Sequence, residues 1–121
     1  MSWVLALLPV CAAAVAATGL GPDIQELVAS RRFAEARELC RHELARNPAD
    51  VEHAVYAARL SAWMGEYHTS IDEYDAALAL SPGNVEALTG KAQVHIYQKQ
   101  FSEAEALLGA ARAAEIGRAH V

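Results

Sequence analysis

The stretch VEHAVYAARLSAWMGEYHTSIDEYDAALALSPG, Val51 to Gly83, decides the fold, because its key positions return 34 residues later and several also stand 34 residues earlier. Tyr67 lies midway between Phe33 and Phe101. Ser70 has the same relation to Ala36 and Ala104, Tyr74 to Cys40 and Leu108, and Pro82 to Pro48. Several columns sharing one spacing define a tandem repeat, and a period of this length marks helical hairpins stacked side by side.

Within Val51 to Met64 the small and apolar residues Ala54, Ala57, Ala58 and Leu60 to Ala62 follow a helical rather than an alternating pattern, which Gly65 interrupts. Tyr67 to Leu80 is the return helix, with Ile71, Tyr74, Ala77 and Leu78 on one face, and Ser81-Pro82-Gly83-Asn84 closes it. The acids Asp72, Glu73 and Asp75 are assigned to an outward, solvated face. The next unit follows the same plan, with Val85 to Gln98 and Phe101 to about Ala114 as its helices. Leu88, Ala92, Ile96 and Tyr97 line the first of these, and Ala104, Leu107, Leu108 and Ala111 the second. Short loops require antiparallel pairs. In the first unit only the return helix, Phe33 to Arg46, is regular. The helix before it starts near Gly21-Pro22, and Ile24 occupies the place of Ala58 and Ala92, so a short, atypical helix is expected there.

These residues resemble the tetratricopeptide repeat family, a helix–turn–helix with small residues at the crossing, an aromatic opening the second helix and a closing proline. Ala58, Gly65, Tyr67, Ser70, Tyr74, Ala77 and Pro82 carry the resemblance, extended by Ala92, Phe101, Ala104, Leu108 and Ala111, with Lys99 in place of the glycine. The resemblance implies an all-α fold, a right-handed superhelix of about three antiparallel hairpins, in which residues 18–48 form a degenerate unit and residues 49–82 and 83–115 form regular ones. It also implies a concave groove, lined by the first helices, that binds an extended peptide or a partner helix. Val55, Arg59 and Trp63, with Thr89, Gln93 and Tyr97 in register, are the groove positions so implied, and Trp63 and Tyr97 are the strongest anchors. The competing reading is that both rings pack on the adjacent helix. The lysine and asparagine set by which some members clamp a terminal carboxylate is absent, which disfavours chaperone docking.

The 10 basic and 15 acidic residues give a formal charge of −5, without a basic stripe, so nucleic acid is not an expected partner. Met1 to Ala17 is apolar apart from Ser2, and the first charge is Asp23. Its Ala14-Val15-Ala16 offers a small-x-small cleavage pattern, so residues 1–17 are assigned as an export signal, although the positive n-region is missing; the alternative is a membrane anchor, since Met1 to Gly21 is just long enough to span a bilayer as a helix. Leu8-Pro9-Val10-Cys11 also resembles a lipoprotein cleavage box. Cleavage after the alanines leaves Cys40 as the lone thiol, assigned to the core rather than to reactive chemistry.

No catalytic or metal constellation emerges. His42, His53, His68, His95 and His120 include no pair at helical spacing, Glu38 and His42 alone would make a two-ligand site, and no nucleophile elbow or phosphate loop occurs. No enzyme activity, cofactor or metal is expected. Ile116 to Val121 matches the translation of ATC GGA AGA GCA CAC GTC, a short-read sequencing adapter, and residues 116–121 are set aside as an artefact on a truncated fragment. The expected function is a non-catalytic protein-interaction scaffold of the bacterial cell envelope, periplasmic or otherwise exported. One alternative is the N-terminal repeat region of an outer-membrane barrel protein that exports or modifies polysaccharide, and another is a cytosolic repeat whose leader is a first helix.

Overall fold

The structure, a computed structural model, describes residues 20–119, so the leader, its cleavage patterns and the last two residues lie outside the described residues. Six helices follow one another: α1 (Pro22–Ala29), α2 (Phe33–Arg46), α3 (Val51–Trp63), α4 (Tyr67–Leu80), α5 (Val85–Tyr97) and α6 (Phe101–Ala119). Among the described residues there is no strand. The fold is an all-α array of three helical hairpins, with α1 the short helix that the sequence leads one to expect and Pro22 in its first turn.

Each hairpin turns the same way. Arg31, Gly65 and Lys99 all have left-handed φ, at 60°, 79° and 61°. Glu66 N–H reaches back to the Ser61 carbonyl and Gly65 N–H to that of Ala62, a Schellman closure that recurs at Arg32 to Leu27 and at Gln100 to His95. Loops between hairpins carry caps. Asp50 accepts from His53 N–H at 3.1 Å, and Asn84, 34 positions on, accepts from Ala87 N–H at 2.9 Å. Each such cap contributes about 1 kcal/mol and sets where a first helix starts.

Small residues set how closely the helices approach. Ala58, Ala77, Ala87 and Ala92 are fully buried, and the Ser70 hydroxyl donates to the Ala58 carbonyl across the α3–α4 crossing at 2.7 Å. One core joins Val55, Ala58, Tyr74, Ala77, Ala87 and Val94 between the second and third hairpins. A second joins Ile24, Ala36, Cys40, Tyr56, Ala57 and Leu60 between the first and second. Ile24, at the alanine position, is buried in the same cluster as Cys40. The Cys40 thiol is buried, and burial pushes its pKa up to about 12.

Of the three acids assigned to solvent, only Asp72 is free of neighbouring helices. Glu73 turns inward instead: Ser61 donates to it at 2.5 Å and Arg41 of α2 pairs with it at 3.2 Å. Asp75 meets Lys91 of α5 at 2.5 Å. The reason is helical geometry, since residue 73 lies beside the buried stripe Ser70, Tyr74 and Ala77. Arg37 extends the same network to Ser61 and Glu66.

α6 runs past the expected end at Ala114 to Ala119. On its outer side Phe101 and Leu108 are 62% and 43% exposed, although Tyr74, in register with Leu108, is buried.

Candidate functional site

Helices α3 and α5 touch each other directly, whereas α4 and α6 do not. Helices α3 and α5 therefore lie on the inner side of the array, and the surface between them is its candidate groove. Two adjoining cavities lie along it. One, of about 410 Å³, is lined by Glu52, Val55, Tyr56, Arg59, Asn84 and Glu86. The other, of about 150 Å³, lies among Arg59, Trp63, Tyr74, Gly90, Gln93 and Tyr97. Arg59 borders both.

Five of the six residues named from the resemblance, all but Thr89, line one of these cavities. Val55 is only 6% exposed, so it forms floor between α3 and α5 rather than a projecting contact. Thr89 and Gln93 are exposed on α5. Trp63 and Tyr97 are 46% and 49% exposed, and each also stacks on the aromatic that opens the preceding return helix. Trp63 sits 5.3 Å from Phe33, and Tyr97 sits 5.7 Å from Tyr67. Packing and presentation thus go together: the inner half of each ring is fixed while the outer half remains open.

Tyr56 and Tyr74 were not evident as groove residues in the sequence. Tyr56 meets Trp63 edge-on at 6.1 Å and lies under the Arg59 guanidinium, 5.3 Å from its centroid. Tyr74 comes from α4, beneath the groove, and a side chain at Gly90 would overlap its ring. Gly90 is what lets α5 settle on that ring. The repeat comparison could have flagged this, since Gly90 is in register with Tyr56, a large residue. Burial raises the pKa of both tyrosine hydroxyls above the ordinary value, against the opposing pull of the Arg59 charge.

Among the described residues no group of three or more His, Cys, Asp or Glu is placed to hold a metal ion. Glu38, considered with His42 as a ligand pair, instead pairs with Arg41 at 3.4 Å. No helix among the described residues is long and apolar enough to cross a membrane.

Hairpins in 34-residue register, closed by one type of turn and offering an inner groove, define a helical-repeat array. The family model of the tetratricopeptide repeat matches residues 64–119, the part of the chain from the end of α3 through α6. Among solved structures it is similar to MamA, with a TM-score of 0.74 and 17% identity over 78% of this chain and 56% of that one. It is also similar to the second TPR of Spaghetti (RPAP3) bound to the HSP90 peptide SRMEEVD, with a TM-score of 0.71 and 12% identity over 76% of this chain and 85% of that one. The chain thus spans little more than half the length of MamA. At such identities the likeness concerns the fold alone. No curated protein matches the chain in sequence.

Proposed function

We propose that this chain is a non-catalytic scaffold that holds a peptide or partner helix in the groove between α3 and α5, with Trp63 and Tyr97 as its principal anchors and Arg59 and Gln93 as its polar contacts. The observation that carries this reading is the paired half-exposure of Trp63 and Tyr97, each immobilised on a ring behind it. A ring already held in its bound position loses little freedom when a ligand arrives, so more of its contact area contributes to affinity. The peptide bound by the RPAP3 repeat domain supports a peptide as the kind of occupant. The lysine and asparagine set of the carboxylate clamp is missing here, so a chaperone tail is not the proposed ligand.

The test compares the chain with Trp63→Ala and Tyr97→Ala in selection from a displayed peptide library, with far-UV circular dichroism to follow the helices. Peptides captured by the chain and lost by both variants of unchanged helicity support the groove. Equal capture by all three would place binding elsewhere.

The proposed setting is the bacterial cell envelope, and it rests on the apolar residues 1–17 read as an export signal. Fractionation of cells expressing the chain checks it: a periplasmic or membrane-bound product trimmed near Ala16 is expected, and an untrimmed cytosolic product would refute export. Leader plus repeats also supports the barrel-protein alternative, which predicts alternating ten-residue strands encoded downstream of Ala114.

A further inference from the structure

The groove has an order of charge along its axis. Glu52 and Glu86 occupy equivalent first-turn positions on α3 and α5 and line the larger cavity at one end. Arg59 stands at the junction of the two cavities, and the aromatic pair Trp63 and Tyr97 closes the other end. Among the described residues none of these three charged groups has an ion-pair partner within 4.0 Å, whereas Arg37, Arg41 and Lys91, which tie neighbouring helices together, all do. Arg59 is braced from below by the Tyr56 ring and lies beside the Tyr74 hydroxyl, with no carboxylate holding it among the described residues.

Resting on the groove reading above, we propose that the ligand is an extended peptide carrying a basic residue, then an acidic side chain, then an apolar residue, in that spatial order from the Glu52 and Glu86 end to the Trp63 and Tyr97 end. Helix rise fixes the spacing. Seven residues from Glu52 to Arg59 span about 10.5 Å and four from Arg59 to Trp63 about 6 Å. An extended chain advances about 3.1–3.4 Å per residue, so the basic and acidic residues stand about three positions apart and the apolar one about two beyond. The carboxylate meets the guanidinium as a charge-assisted pair in a partly desolvated setting, and the basic head meets two carboxylates at the more open end. The smaller cavity, at about 150 Å³, is of a size that accommodates a single benzene ring, which suits one aromatic or branched side chain.

The test uses four labelled twelve-residue peptides of one composition, read by fluorescence anisotropy against the full chain. One carries Lys-Ala-Ser-Glu-Ala-Phe in an Ala/Ser background and the second exchanges its Lys and Glu. The other two are the same pair written backwards, because an extended ligand can lie in either direction. In one of the two directions the ordered peptide is expected to bind about tenfold more tightly than its charge-exchanged partner, a difference of about 1.4 kcal/mol. The triple variant Arg59→Glu, Glu52→Lys and Glu86→Lys is expected to invert the preference. Arg59→Gln, the milder change, is expected to reduce it, because Glu52 and Glu86 still favour the basic residue at their end. Trp63→Ala is expected to weaken all four peptides alike.

Equal binding of all four, still weakened by Trp63→Ala, would overturn the charge order while sparing the groove. Binding indifferent to Trp63→Ala, or no binding of any peptide, would overturn both.

Discussion

The Trp63 ring rests on the Phe33 ring across a hairpin boundary, centroids 5.3 Å apart and planes tilted by 50°, and Tyr97 repeats that relation on Tyr67 one unit later. An aromatic pair of this kind is worth about 0.5–1.5 kcal/mol beyond its buried area. A double-mutant cycle of Phe33→Leu and Trp63→Leu, followed by urea unfolding, is expected to give a coupling energy in that range. Additive effects would show that the rings touch without holding each other.

The α3–α4 crossing leaves no room at Ala58. Replacing it with leucine is expected to cost about 1–3 kcal/mol through overpacking. Ser70→Ala is expected to lose about 1 kcal/mol, the net worth of one buried hydrogen bond, since Ala104 fills the same place in the next unit without a hydroxyl. An unchanged melting temperature for Ala58→Leu would refute the close approach.

At Gly90 two effects compete. Alanine in mid-helix normally gains about 1 kcal/mol over glycine. Here its methyl would overlap the Tyr74 ring, which is buried and cannot yield cheaply. Because overpacking costs about 1–3 kcal/mol, Gly90→Ala is expected to be a net loss on denaturant titration. A gain would mean the ring moves aside freely.

The hairpin turns make opposite predictions. Gly65→Ala, at φ 79°, is expected to lose about 1 kcal/mol. Lys99→Gly, at φ 61°, is expected to gain up to about 1 kcal/mol by removing a Cβ from left-handed backbone. Thermal unfolding of both checks whether the three turns share one conformation.

Cys40 makes stability depend on alkaline pH. Its thiol keeps its proton in the fold up to about 12, against 9.0 for a free thiol, because burial opposes the thiolate. Above pH 9 the unfolded chain therefore binds fewer protons than the folded one, so stability falls as pH rises toward 12. Tyr56 and Tyr74, raised for the same reason, add to the fall above pH 10. Urea midpoints across that range are expected to decline, and Cys40→Ala to decline less steeply. Equal slopes would remove the assignment.

The fold was legible because the spacing of Phe33, Tyr67 and Phe101 and of the small residues is a constraint on every repeat at once. Contacts between repeats were harder to see, since pairs such as Arg37 with Ser61 and Arg41 with Glu73 lie 24 and 32 positions apart, a pairing that no single helix pattern encodes. Glu73 looked like a surface acid because its inward partners, Ser61 and Arg41, come from other helices. Trp63 and Tyr97 posed a choice between packing and presentation, and the geometry unites the two, because a ring at a helix end can bury one side only. Tyr56 and Tyr74 escaped notice since aromatics at helical spacing read as core, and the floor of a groove is core seen from above.

The ladder of rings has one further implication, for how such a gene can grow. Phe101 presents outward the ring that Phe33 and Tyr67 offer to Trp63 and Tyr97. Splicing a second copy of residues 51–84 after residue 84 would therefore hand each newcomer an aromatic seat already in place. Recombination out of step by 34 codons lengthens the protein without a seam, while a slip of a codon or two would turn every ring from its seat.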